Sequence, residues 1–114
     1  MSDLTIFQKI EKGEIPGKFE YEDDICFAIR DINPQTPTHI LIIPRKPIPR
    51  LSEATAEDES IMGHLLFAAQ KVAKQLGLEK GFRVIINNGK DAGETVPHMH
   101  VHLLGGKSMG EKLV

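Results

Sequence analysis

Near the N-terminus the apolar positions fall three and four residues apart. Ile6 and Ile10 share one helical face and Phe7 widens it, so residues 3–12 are predicted as a short helix. Asp3 or Thr5 can cap it and Gly13 stops it. Further on, the pattern shortens to strand-like runs. Residues 19–22 form a weak strand candidate, and Asp23-Asp24 turns into a better one at 25–30. A loop with two prolines spans 31–37. The run His39-Ile40-Leu41-Ile42-Ile43 is continuous and β-branched, which suits a strand covered on both faces. Residues 44–50 carry Pro44, Pro47 and Pro49 and read as an extended connection, because proline brings no N–H to a strand ladder.

The longest pattern follows. Thr55 with Asp58 forms a capping-box variant, and Ile61, Leu65, Ala68, Ala69, Val72 and Leu76 repeat at helical spacing. Gly77 supplies the stop and Leu78 the apolar closure. Met62, Leu66 and Ala73 widen the apolar face beyond what one sheet needs, which points to a partner subunit over part of it; the alternative is a helix sunk in its own core. Strands are predicted at 82–87 and 98–104, joined by a loop over 88–97, with Gly105-Gly106 ending the second. Helix, strands, helix, strands predicts an α+β domain with a mainly antiparallel sheet, one domain over residues 1–114.

Composition narrows the function. A chain of 114 residues with 40% hydrophobic and 26% charged residues has an ordinary globular balance. A net charge of -2 gives no global attraction to nucleic acid or to an anionic membrane surface, so neither is expected as a partner. The one cysteine, Cys26, sits in the apolar run at 25–29, as a small hydrophobe of a reducing compartment would. With no leader pattern and no run of membrane-spanning length, a cytoplasmic location is expected.

His98, His100 and His102 alternate along the last predicted strand, so they share one face, with Met99, Val101 and Leu103 on the other. Such a row suits zinc ligation with an open position, or nucleophilic catalysis on phosphorus by a neutral imidazole, or no chemistry at all if it faces solvent. The preceding loop holds Gly89, Gly93 and Thr95, whose backbone N–H groups and hydroxyl suit an anion; a plain hairpin loop is the alternative. His64 falls on the polar side of the long helix and receives no function.

The segment His98-Met99-His100-Val101-His102-Leu103-Leu104 resembles the motif of the histidine triad (HIT) family, and the likeness runs through nearly the whole chain. Residues 31–39 resemble the family's other block, Ile6-Phe7 with Ile10 and Ile15-Pro16 its opening, and Leu103-Leu104-Gly105-Gly106 its Hint branch of nucleoside phosphoramidate hydrolases. The resemblance implies a five-stranded antiparallel sheet with two helices. It also implies a homodimer through the long helix and a strand, giving a ten-stranded sheet. The implied ligand is a purine nucleoside monophosphate or phosphoramidate, with no cofactor and no metal. Cleavage of the P–N bond, and of aminoacyl adenylates, would run through a nucleotidyl-histidine intermediate.

Carried over by position, His100 would be the nucleophile, His102 would contact phosphate and leaving group, His98 would support the row, and His39 would complete the cluster. Asn87 and Thr95 match phosphate-side or leaving-group contacts, and Asp31 matches the acid on the ribose hydroxyls. Ile6, Phe7, Ile10, Ile29, Ile32 and Leu41 match the cleft around the base; the plainer alternatives are a strand end for His39, a turn for Asp31 and simple core for the apolar residues. Glu94 stands where the family usually has glutamine, and an ionised glutamate would repel phosphate unless turned away. The segment 107–114 lacks the tryptophan of animal relatives, which leaves the amine preference open. Thr95-Val96-Pro97 also occurs in the Fhit branch, so a dinucleoside polyphosphate hydrolase is one alternative. A nucleotide-binding regulatory module with incidental hydrolysis is another, and a metallohydrolase using the three histidines a third.

Overall fold

Thr5 opens the first helix, α1 (Ile6–Glu11), in the computed structural model, which describes residues 4–114. Its hydroxyl oxygen accepts the Gln8 N–H at 3.2 Å, and the Gln8 side chain accepts the Thr5 N–H at 2.9 Å, a closed capping box. The helix starts later than predicted, and Asp3, the other candidate cap, lies outside the described residues. Gly13 ends it with φ of +82°, a conformation that costs glycine little.

Five strands follow the predicted order: β1 (Phe19–Glu22), β2 (Cys26–Arg30), β3 (Thr38–Pro44), β4 (Phe82–Ile85) and β5 (Val101–Gly105). They form one sheet in the order β1-β2-β3-β5-β4, with every neighbouring pair antiparallel. The long helix α2 (Glu59–Gln75) separates β3 from β4 in the chain. Central β3 is buried from His39 to Pro44, as its unbroken apolar run requires.

The period of two sorts the sheet's side chains onto two faces. On one, Ala28, Ile40, Ile42, Val101 and Leu103 pack under Leu65, Ala68, Ala69 and Val72 of α2. On the other, Phe27, Ile29, Leu41 and Ile43 pack under Phe7 and Ile10 of α1. Gly77, at φ +74°, stops α2, and Leu78 folds back to donate its N–H to the Ala73 carbonyl. Of the wider apolar set on α2, Ala73 is buried and Met62 packs on the core, whereas Leu66 stays half-exposed beside Phe67.

The structure also moves several strand boundaries, and β4 ends at Ile85 rather than at residue 87. Strand β5 begins at Val101, not at residue 98. Extending the β3–β5 register two places beyond the Ile42–Val101 pair would set Pro44 opposite Met99, and proline has no N–H to continue the ladder. The Met99 N–H turns instead to the Ile48 carbonyl at 2.7 Å. Pro44 itself remains in β3, as its last residue, paired with Cys26. Strand β2 begins at Cys26 because the Asp23 carboxylate takes the N–H groups of Ile25 and Cys26 at the preceding turn.

Candidate active site

His98, His100 and His102 all lie on the α1 side of the sheet, while Met99, Val101 and Leu103 belong to the core under α2. The alternation therefore survives the loss of regular strand at residues 98–100. The three rings do not, however, stand equally open. His98 is fully buried, and its Nε2 lies 2.8 Å from the Pro44 carbonyl oxygen. A carbonyl only accepts, so Nε2 carries the proton. Its Nδ1 then accepts from the Thr5 hydroxyl at 2.7 Å. Phe7 meets both His98 and His100 edge-on, at 5.6 and 5.0 Å between ring centroids.

The same reasoning assigns the other rings. His100 Nδ1 is 2.9 Å from the His98 carbonyl oxygen and must donate to it, which leaves an unprotonated lone pair on Nε2 of the neutral ring. His39 Nδ1 accepts the Gln35 N–H at 3.0 Å. Its Nε2–H donates to His102 Nδ1 at 2.9 Å, so neutral His102 holds its own proton on Nε2. The His100 and His102 ring centroids are 5.0 Å apart. One lone pair and one N–H donor thus stand side by side.

Burial keeps this chain neutral. It lowers the pKa of His102 to about 4, helped by His100 and His39 against the opposing pull of Asp31. It also lowers His98 and His39, the Asp31 carboxylate partly offsetting it at His39. Asp31 Oδ2 lies 3.4 Å from His39 Nε2, and its Oδ1 accepts the Asn33 N–H. Asp31 therefore stands beside the histidine chain with its carboxylate partly open.

Glu94 is engaged by Arg50 and by the backbone of its own loop. Its carboxylate accepts Arg50 Nε at 2.9 and 3.1 Å, Arg50 Nη2 at 2.9 Å and the Gly89 N–H at 2.8 Å. These bonds, Arg50's first, hold it ionised, below the usual carboxylate range, with the nearby His100 a lesser influence. Asn88 Oδ1 accepts the Ser52 N–H, so residues 88–94 are tied twice to residues 50–52.

Phe7, Ile10, Ile29 and Leu41 come together as buried core beneath the histidines. Ile6 is 45% and Ile32 96% exposed, so those two line a surface rather than a core. Asn87 is half-buried two residues past Ile85, which pairs with His102, and Thr95 is exposed on the loop. A groove of about 780 Å³ between the α2–β4 turn and residues 106–110 holds none of the predicted site residues. Sequence reasoning missed three supports: Thr5 as more than a cap, the Pro44 carbonyl, and Arg50. Each reaches its partner from 44 to 93 residues away, beyond any local pattern.

Residues 12–109 match the family model described as HIT domain. An uncharacterized HIT-like protein of Synechocystis sp. is 53% identical over 107 residues, 94% of each chain. A HIT family hydrolase from Clostridium thermocellum superposes with a TM-score of 0.95 at 45% identity, covering 100% of both chains. A histidine triad nucleotide-binding protein from Candida albicans does so with a TM-score of 0.80 at 30% identity, covering 97% of this chain and 87% of its own.

Proposed function

The chain belongs to the HIT family, and from that premise we propose that it hydrolyses purine nucleoside 5′-phosphoramidates through a nucleotidyl intermediate on His100. The observation that carries this reading is the tautomer pattern. His100 offers a lone pair on Nε2, and neighbouring His102 offers an N–H on Nε2. A nucleophile and a donor for a phosphate oxygen or leaving nitrogen are what phosphoryl displacement needs.

In the proposed reaction His100 Nε2 attacks the α-phosphorus, the P–N bond breaks, and the leaving nitrogen takes a proton from solvent and departs as the amine. His102 Nε2–H donates to the substrate as charge moves onto the leaving nitrogen. The positive charge that develops on the His100 ring sits on a group already donating Nδ1–H to the His98 carbonyl, and that bond strengthens as the charge appears. Buried His98, held by Pro44 and Thr5, keeps that carbonyl in place. Water then attacks the phosphorus and releases the mononucleotide. Asp31 takes the ribose hydroxyls, Thr95 and Asn87 approach the phosphate, and Phe7, Ile10, Ile29, Leu41, Ile6 and Ile32 surround the base. The Candida neighbour, named for nucleotide binding, supports the ligand class.

The test is incubation with adenosine 5′-phosphoramidate, quenching without acid and intact-mass measurement. A nucleotidyl adduct is expected on the wild type and not on His100→Ala, which loses turnover at least 10³-fold, on the order seen for loss of a nucleophile. Near-normal turnover by His100→Ala would overturn the proposal. Faster cleavage of a dinucleoside polyphosphate than of the phosphoramidate would move the assignment to that substrate class.

A further inference from the structure

A second cluster of metal-ligating side chains lies away from the histidine site. Asp23 stands in the β1–β2 turn, Cys26 is the first residue of β2, and His64 is in the second turn of α2. A carboxylate oxygen of Asp23, the Cys26 sulfur and a ring nitrogen of His64 all lie within 4.8 Å of one another. We infer that these three residues form a binding site for a zinc-class divalent transition metal ion, joining the β1–β2 turn to α2.

The donor set is one such an ion takes: a thiolate, an imidazole and a carboxylate. A tetrahedral ion with bonds of ~2.0–2.3 Å holds its ligand atoms roughly 3.5 Å apart, so modest side-chain rotations close the cluster around it. Asp23 is already oriented as a one-oxygen ligand. Its Oδ1 accepts the Ile25 and Cys26 N–H groups at 2.8 and 2.9 Å, and its Oδ2 accepts the Tyr21 hydroxyl at 2.7 Å. Supports of this kind fix a metal-binding carboxylate from behind. His64 Nε2 now lies 2.7 Å from the same Oδ2, where the ion would come between them.

Access and charge also agree. The Asp23 and His64 side chains keep 25% and 32% of their surface, which leaves an entrance, while Cys26 closes the inner wall. Arg45 donates to the Asp23 backbone carbonyl, and its own charge is held by Glu11 and Glu22. On binding, the Cys26 thiol proton passes to solvent, and the His64 proton moves to Nδ1 so that Nε2 can coordinate.

Cobalt(II) added to the full-length protein tests the site. A thiolate-to-cobalt charge-transfer band in the near ultraviolet is expected, saturating at one equivalent. Metal held by Asp31, His39 and His102, the other such group among the described residues, gives no such band, since it has no sulfur. Cys26→Ala should abolish the band, and His64→Gln should weaken cobalt binding at least about tenfold, the effect of a disturbed ligand shell. If Cys26→Ala does not fold, His64→Gln, changed at a side chain one-third exposed, decides alone. Absence of the band in the wild type, its persistence in Cys26→Ala, or unchanged affinity in His64→Gln overturns the site. The histidine chemistry proposed above is independent of this result.

Discussion

At the scale of single residues, the site is a set of protons held in chosen places. His102, His98 and His39 are all neutral because burial disfavours their charged forms. An unfolded histidine binds a proton below about pH 6.5. Folded His102 does so only near pH 4, so between those values the unfolded state holds more protons and stability rises with pH. Acidification from pH 7 to 4 should therefore cost roughly 3 kcal/mol from His102 alone, with His98 and His39 adding in the same direction. Urea unfolding across this range checks it; a stability flat between pH 7 and 4 would contradict the buried neutral chain. Glu94 is the other telling residue. Arg50→Ala should cost little stability, as solvent-screened pairs do. It should nonetheless raise KM for an anionic substrate severalfold, by leaving a bare carboxylate near His100, and adding Glu94→Gln should restore KM. An unchanged KM in the single variant would place Glu94 away from the substrate's path. The sequence showed that Glu94 was unusual there but not its remedy, because Arg50 is 44 residues distant.

At the scale of elements, the sheet and helices were legible wherever a period of two or 3.6 ran over several residues. The unbroken apolar run gave β3, and the stripe from Leu65 to Val72 gave the buried face of α2. Boundaries set by particular side chains were less visible: Asp23 delays β2, and Pro44 delays β5 through a register that only the folded sheet establishes. The same holds where elements touch. A Cβ added to Gly105, the last residue of β5, would lie 2.9 Å from Leu78 Cδ1. Gly105→Ala should thus push Leu78 out of the α2 closure and destabilise the fold by about 1–3 kcal/mol, the range for overpacking. Thermal unfolding measures this, and an unchanged Tm would mean that Leu78 yields freely. Sequence reading marked Gly105 as a strand terminator. The closer reason is the leucine packed against it.

At the scale of the whole molecule, β4 is an edge strand, and its Phe82 and Val84 are 42% and 36% exposed. Leu66 and Phe67 on α2 remain more than half exposed. A homodimer pairing β4 with its copy would cover an edge that otherwise invites indiscriminate strand addition. Val84→Arg should then shift the protein from dimer to monomer in sedimentation velocity; a wild type that sediments as a monomer would rule the dimer out. The His98 hydrogen bonds carry a different consequence. They join Thr5, 93 residues away, and Pro44, 54 residues away, to one buried ring. During synthesis, α1 has to wait until most of the chain exists before its cap finds that ring. The Thr5–His98 bond thus forms only after most of the chain has been made. Detachment of α1 breaks it, so the proposed hydrolysis should report a loosened N-terminus while the sheet is still intact.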